Sequence, residues 1–233
     1  MDALDIFLWG VAPYLSFTIL IVALVIRRLY FERDWSAKSS EFLDKKNERI
    51  WTPLFHLSLL FVFFGHLGGF LIPPELTASV GITEEMYHAL ALGAGGPAGI
   101  VLVLSTIMLL RRRYAGSSRM KANSSPMDKF MYVFLGFTIL AGLVATFSNI
   151  DGSFDYRVTI MPWIRGILVF RPDVSLMVDI PLTFKIHMVS WMILFALIPF
   201  TRLVHLFSGI TAPIKYLVRK PILYLKKEDV HQG

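Results

Sequence analysis

The sequence predicts an all-α integral membrane protein, a single bundle of five transmembrane helices that covers residues 1–233. Its 233 residues are 55% hydrophobic, with a mean hydropathy of +0.60, which is far more apolar than a soluble domain. Five stretches also reach the roughly 20 mostly apolar residues that a membrane-spanning helix needs, and none shows the alternation typical of a membrane β-strand. They lie at about 3–26, 52–72, 86–110, 130–150 and 182–207.

The first stretch has the position of a secretory signal but not its chemistry. A signal peptide begins with basic residues and ends at a small-residue cleavage site. This stretch instead opens with Asp2 and Asp5 and is closed by Arg27 and Arg28. We therefore expect it to be retained as a helix, so that five crossings place the two termini on opposite sides of a cell membrane.

The distribution of basic residues predicts which side is which. Lys and Arg are concentrated at 27–49, at 111–129 and from Arg202 onward. The four exceptions are Arg157, Arg165, Arg171 and Lys185. Because basic residues collect on the cytoplasmic side, the N-terminus is predicted to lie outside and the C-terminus in the cytoplasm. The net charge of +6 thus reflects membrane topology and not a nucleic-acid partner.

The connections carry less information than the helices. The charged link at 27–49 has two open interpretations, a solvated interfacial helix or a docking surface for a cytoplasmic partner. The Ser-rich stretch at 116–126 predicts a flexible loop. Residues 151–181 predict a segment on the outer surface, since their apolar centre at 163–170 is too short to span. Residues 208–233 form a predicted cytoplasmic tail, with His231 in water.

The chain has no cysteine. This excludes disulfides, thiolate-bound iron–sulfur clusters and covalently attached haem within the chain. If electrons pass through this protein, they enter from a mobile carrier and leave to another subunit.

Four of the six histidines lie in just two of the predicted helices. Ionisable residues within a membrane are costly and therefore candidates for function. Because the second and fifth helices run in opposite directions, equal depth pairs His66 with His187 near the outer face and His56 with His205 near the inner face. Two histidines that bind one iron from opposite sides give a low-spin haem suited to electron transfer, so the sequence predicts two haems b, with these four residues as ligands.

One spacing does not match this arrangement. His187 and His205 are separated by about 27 Å on a regular helix, against about 15 Å between His56 and His66. A tilted helix, a bend at Pro199 or inclined haem planes would absorb the difference. These distances also exclude a single metal ion bound by all four histidines.

Several neighbouring residues have two interpretations each. Arg202 and Lys185 either hold haem propionates or simply reach the membrane surface. The glycines around His66 and in the third helix either admit a porphyrin or allow close helix packing. They are Gly65, Gly68, Gly69, Gly93, Gly95, Gly96 and Gly99.

Tyr87 and His88 lie at the outer start of the third predicted helix, at the depth of the outer haem. A quinol that is oxidised there must lose two protons, and a titratable neighbour assists this. We interpret the two residues as a quinol site, the alternative being an ordinary interfacial pair.

Six short runs resemble the gamma subunit of respiratory nitrate reductase over nearly the whole chain. They are Trp35-Ser36-Ala37-Lys38-Ser39-Ser40, Leu54-Phe55-His56, Gly65-His66, Gly93-Ala94-Gly95-Gly96, Lys185-Ile186-His187 and Pro199-Phe200-Thr201-Arg202-Leu203-Val204-His205. The outer segment, with Phe154-Asp155-Tyr156-Arg157 and Leu168-Val169-Phe170-Arg171-Pro172-Asp173, looks closest to Gram-positive members.

The resemblance implies a quinol-oxidising subunit of nitrate reductase with the same histidine pairing. Its electrons would pass through two haems to an iron–sulfur beta subunit and a molybdenum-containing alpha subunit, which reduces nitrate. One feature departs from the family: some members carry a lysine near the start of the third helix, whereas Glu84-Glu85-Met86-Tyr87-His88-Ala89 contains none. Two alternatives remain, a cytochrome b of a sulfur-compound or heterodisulfide reductase, and a haem-free anchor or proton channel.

Overall fold

The structure, a computed structural model, describes residues 1–30, 45–115 and 125–207. Within these ranges the chain forms seven helices and three short 3-10 turns. The helices are α1 (Ala3–Tyr30), α2 (Lys45–Leu71), α3 (Pro74–Ser79), α4 (Glu84–Ala115), α5 (Pro126–Ser148), α6 (Ile160–Leu168) and α7 (Leu182–Leu197). One π-helical turn lies within α1 (Phe7–Val11) and one within α4 (Ala91–Gly95).

Five helices are long and apolar enough to cross a membrane: α1, α2, α4, α5, and α7 with its extension to Phe200. Only 11 to 22% of the most apolar part of each is buried, so most of the apolar surface is available to lipid. The prediction of an all-α bundle with five membrane helices is confirmed. The side on which each terminus lies stays a prediction. Most of the link at 27–49, most of the loop at 116–126, and the tail at 208–233 with His231 lie outside the described residues.

The membrane helices pack in an order that differs from their order in the chain. Close contacts join α2 to α4, α4 to α5, α5 to α7 and α7 to α1. In this order α4 and α5 stand between α2 and α7, which are the two helices that carry the paired histidines. Side chains of α2 and α7 that contact one another must therefore do so across the interior of the bundle.

The fifth membrane helix ends earlier than predicted. Regular α-helix stops at Leu197, not at Phe207, and is followed by a 3-10 turn over Ile198–Phe200. Pro199 explains the end, since it has no N–H and its ring clashes with the carbonyl four residues earlier. Thr201 then adopts an extended conformation, and a second 3-10 turn over Arg202–Val204 leads to His205. The 27 Å estimate, which assumed a regular helix, therefore does not apply to this segment.

The longest helix of the segment at 151–181 is α6, whose nine residues are too few to cross a membrane, and the segment packs against the membrane helices; its place on the outer surface stays a prediction. Its helix α6 contributes Ile160, Trp163 and Ile167 to the buried core, where they pack with Trp9 of α1. The Trp163 indole donates a hydrogen bond of 2.8 Å to the backbone carbonyl of Trp9, and the two rings meet edge to face. The segment is thus packed into the end of the bundle, because burying these large rings stabilises the fold.

Candidate functional site

The structure brings the four histidines together in two pairs. The ring centres of His66 and His187 are 6.2 Å apart, and those of His56 and His205 are 6.3 Å apart. We name them the outer pair and the inner pair, after the predicted orientation. These are the pairs that were matched by depth. His56 and His66 are ten positions apart on α2, which separates the two pairs by about 15 Å.

The spacing within each pair fits one metal ion between two imidazoles. An imidazole nitrogen lies about 1 Å from its ring centre, so rings that bind one ion through bonds of about 2 Å have centres about 6 Å apart. Both observed separations agree with this value. The geometry therefore suits a six-coordinate centre with a histidine on each face, such as a haem iron.

Hydrogen bonds orient all four rings in the same way. The Nδ1 atoms of His56, His66 and His205 lie 2.8, 2.8 and 2.7 Å from carbonyl oxygens of Thr52, Val62 and Arg202 on their own segments. The Nδ1 atom of His187 lies 3.2 Å from the carbonyl oxygen of Thr138 on α5. A carbonyl can only accept, so each Nδ1 carries the proton and donates. Each Nε2 then keeps the lone pair that a metal requires.

His187 is packed tightly against the backbone of α5. A Cβ atom at Gly142 would come within 2.7 Å of its Cε1 atom, closer than atoms of real side chains approach. With the ring in this position, only glycine, which has no Cβ atom, therefore fits at position 142 of α5. Gly142 was not among the predicted site residues, although a glycine in the interior of a predicted helix, where it is unfavourable, was the available signal.

The glycines that the sequence analysis did single out fall into two groups. A Cβ atom at Gly65, Gly68, Gly93 or Gly95 would meet no other described atom within 4 Å, so there is open space beside His66 on α2 and beside the π turn of α4. This space suits a flat macrocycle. Gly69, Gly96 and Gly99 face side chains of neighbouring elements, and a Cβ at Gly99 would approach Leu143 to 2.8 Å, which indicates helix packing.

The two basic residues considered for propionates have protein partners. Arg202 forms an ion pair of 2.9 Å with Asp128 at the start of α5. Lys185 donates a hydrogen bond of 2.5 Å to the carbonyl oxygen of Val178. Both contacts fix their side chains within the bundle, and a propionate contact stays a prediction for each.

Tyr87 and His88 point to different neighbours. The Tyr87 hydroxyl lies against Gly69 of α2, where a Cβ would be 3.4 Å away. Gly69 follows His66 by three residues, so it shares a helix face with that histidine. His88 places its Nε2 atom 3.3 Å from the carbonyl oxygen of Ile150, just beyond α5. The structure thus directs Tyr87, but not His88, toward the outer pair.

Arg157 fixes the position of Tyr87. The guanidinium carbon of Arg157 lies 3.9 Å from the centre of the Tyr87 ring, a close cation–π contact. Its NH1 atom donates to both carboxylate oxygens of Glu84 at 2.8 and 2.7 Å, and its NH2 atom donates to the Thr77 hydroxyl at 2.7 Å. Arg157 is only 3% exposed. Sequence reasoning placed it only among the outer basic residues, because its partners are far away in the chain.

Tyr156 lies in the same segment, beside Arg157. Burial raises the pKa of its phenol to about 12, and the neighbouring Tyr87 adds to the effect. Tyr156 packs against the core that includes Trp9 and Trp163. The group therefore stays protonated at any pH at which the protein operates.

Comparisons with known proteins agree with the resemblance drawn from the sequence. The family model for the nitrate reductase gamma subunit matches residues 5–227. The nitrate reductase gamma chain of Bacillus subtilis is 47% identical over 94% of this chain and 97% of its own. The respiratory nitrate reductase 1 gamma chain of Escherichia coli is 30% identical over 94% and 96%. The nitrate reductase-like protein NarX of Mycobacterium tuberculosis is 38% identical over 98% of this chain but only 35% of its own length.

Proposed function

Since the chain belongs to the nitrate reductase gamma subunit family, the membrane subunit of respiratory nitrate reductase, we propose that it oxidises quinol at the outer membrane face and delivers the electrons to its partner subunits. The observation that carries this proposal is the pairing of four imidazoles at 6.2 and 6.3 Å, each with Nε2 available. Two such centres, about 15 Å apart along α2, suit electron transfer across the membrane.

The four histidines would hold two haems b, His66 and His187 the outer one and His56 and His205 the inner one. Haem ligated in this way supplies reversible one-electron chemistry with no open coordination position for oxygen. The protein contributes the ring orientations, through the carbonyl partners of each Nδ1, and the steric room beside the glycines of α2 and α4. On the α5 side of the His187 ring, Gly142 lies against the ring and the Thr138 carbonyl oxygen accepts its Nδ1 proton.

The quinol would bind beside Tyr87, next to the outer pair. Oxidation of a quinol releases two electrons and two protons. The Tyr87 hydroxyl, held by Arg157, can hydrogen-bond one quinol oxygen. His88 donates its Nε2 proton to the Ile150 carbonyl and so keeps a lone pair on Nδ1. Because its ring faces the turn after α5 and not the outer pair, it would accept a proton that has already left the quinol oxygen, not one directly from that oxygen.

The partners would be an iron–sulfur beta subunit, which receives the electrons, and a molybdenum-containing alpha subunit, which reduces nitrate. The absence of cysteine in the chain is consistent with a separate protein for the iron–sulfur clusters. A cytochrome b of a sulfur-compound or heterodisulfide reductase would carry the same histidine pairs. Co-purification distinguishes the two, because only the nitrate reductase complex contains a molybdenum subunit that reduces nitrate.

The visible spectrum of the purified protein tests the haem part of the proposal. Dithionite reduction should give the sharp α band of bis-histidine haem b, with two haems per chain. His205→Ala should remove one haem and leave the outer site at least partly filled. A chain without an α band would support the alternative of a haem-free anchor, and survival of both haems in His205→Ala would show that the inner pairing is wrong.

A further inference from the structure

His205 does not belong to the regular helix that carries its counterpart His187. It follows the end of α7 at Leu197, two 3-10 turns and an extended residue at Thr201. A regular helix fixes the position of each side chain through its own hydrogen bonds. The segment from Ile198 to Val204 interrupts that framework, and helix resumes only at 205–207. Contacts from other elements therefore contribute to placing His205 opposite His56.

One set of these contacts comes from α1. The guanidinium group of Arg27 donates hydrogen bonds to the carbonyl oxygens of Pro199 and Thr201, the second at 3.2 Å. Carbonyls at the end of a helix have no partner within it, and a cation at this end is favourable to the helix dipole. Arg27 therefore ties the interrupted end of the fifth membrane helix to the first.

The other set of contacts comes from α5 and leads through Arg202 to His205. One oxygen of Asp128 accepts from the backbone N–H of Ser125 at 3.0 Å, and the other pairs with Arg202 Nε at 2.9 Å. The carbonyl oxygen of Arg202 in turn accepts the Nδ1 proton of His205 at 2.7 Å. The side chains of Asp128 and Arg202 are 8% and 16% exposed, so water screens their pairing little.

We propose that Arg27 and Asp128 are positioning residues for the inner haem ligand, each acting on His205 through the segment 198–205. This inference rests on the proposed haem binding. The two sites differ in this respect. The outer ligand His187 lies on a continuous helix against the backbone of α5, whereas the inner ligand His205 depends on two charged side chains from other helices. Changes at Arg27 or Asp128 should therefore act on the inner haem alone.

The expected effect is a weaker and altered inner site. Loss of a group that orients a metal ligand typically lowers affinity by roughly 10- to 100-fold. Asp128→Asn keeps an oxygen that can accept from Ser125 but removes the charge opposite Arg202, so it isolates the ion pair from the helix cap. Arg27→Gln removes the cation that donates to the carbonyl oxygens of Pro199 and Thr201. Asp173→Asn is the matched control, because it neutralises a carboxylate that also accepts from a backbone N–H, that of Ser175, in the segment between α6 and α7.

The experiment measures haem content per chain and the redox titration of each haem in wild type, Asp128→Asn, Asp128→Ala and Arg27→Gln. The proposal expects a lowered content or shifted midpoint of the inner haem, identified by its loss in His205→Ala, with the outer haem unchanged. Unchanged inner haem in all three variants would overturn it, as would equal loss of both haems. A wild-type chain without haem would instead contradict the proposed function, on which the inference depends.

Discussion

Gly142 of α5 lies directly behind the imidazole of His187, so that a Cβ atom there would come within 2.7 Å of Cε1. Gly142→Ala should push this ring away from His66 and lower the outer haem content while the inner haem stays. Haem quantitation on the purified chain checks this. Gly136→Ala is the control, because the same helix there meets only ordinary contacts, at 3.4 Å from Leu110 and 3.5 Å from Thr106. Normal outer haem in Gly142→Ala would show that the ring can move without consequence.

Tyr87→Phe tests the quinol site. The substitution keeps the ring on Arg157 but removes the hydroxyl beside Gly69. Loss of one hydrogen bond to the substrate should lower kcat/KM for quinol by roughly 2- to 12-fold. The assay uses the complex with its partner subunits. Nitrate reduction driven by an artificial donor that bypasses the membrane subunit serves as the control, and equal loss in both assays would argue for a general defect.

Arg157→Gln removes the side chain that holds Tyr87 in place. The variant loses the ion pair with Glu84 and the bond to Thr77. We expect the free energy of unfolding to fall by about 1–3 kcal/mol, below the value for a fully buried pair because Glu84 is 51% exposed. Thermal unfolding of the purified chain measures it. Arg171→Gln, an exposed arginine of the same segment, should have little effect, and similar losses in both variants would count against the network.

Trp163 joins the outer segment to α1. Trp163→Phe keeps an aromatic ring but removes the hydrogen bond to the Trp9 carbonyl, which should lower the free energy of unfolding by about 0.5–1.5 kcal/mol. Trp163→Ala also leaves a cavity in the core and should lower it by about 3–5 kcal/mol. The same unfolding assay compares the two. If Trp163→Ala were as stable as wild type, the outer segment would not be part of the core as described.

Tyr156 predicts a pH dependence. Its folded pKa of about 12 lies above the value of about 10 for a free tyrosine. The folded state therefore retains the proton more strongly, so this contribution to stability is complete below about pH 10 and is lost as the pH rises toward 12. The phenolate absorbance of wild type minus that of Tyr156→Phe should rise near pH 12. A rise near pH 10 would contradict the burial of the phenol.

The sequence predicted the membrane helices and the histidine pairs because both depend on simple physics. Twenty apolar residues identify a span wherever they occur, and imidazoles such as His56 and His187 stand out within one. The antiparallel course of two helices then fixes which depths meet. Neither inference requires knowledge of how the helices pack.

The remaining features depend on contacts between distant parts of the chain. Pro199 indicated a bend, but nothing local showed that regular helix would end at Leu197 and that Arg27 would bind the carbonyls beyond it. The pairing of Arg157 with Glu84 requires the outer segment to fold back over the start of α4. The burial of Trp163 was likewise hidden, because a short apolar helix in sequence looks the same on a surface as in a core.

The contact of Trp9 with Trp163 joins residues 154 positions apart. At a synthesis rate of about 5–20 residues per second, the ribosome makes Trp163 roughly 8 to 30 seconds after Trp9. The contact that joins α1 to the outer segment can therefore form only after α2, α4 and α5 have been synthesised.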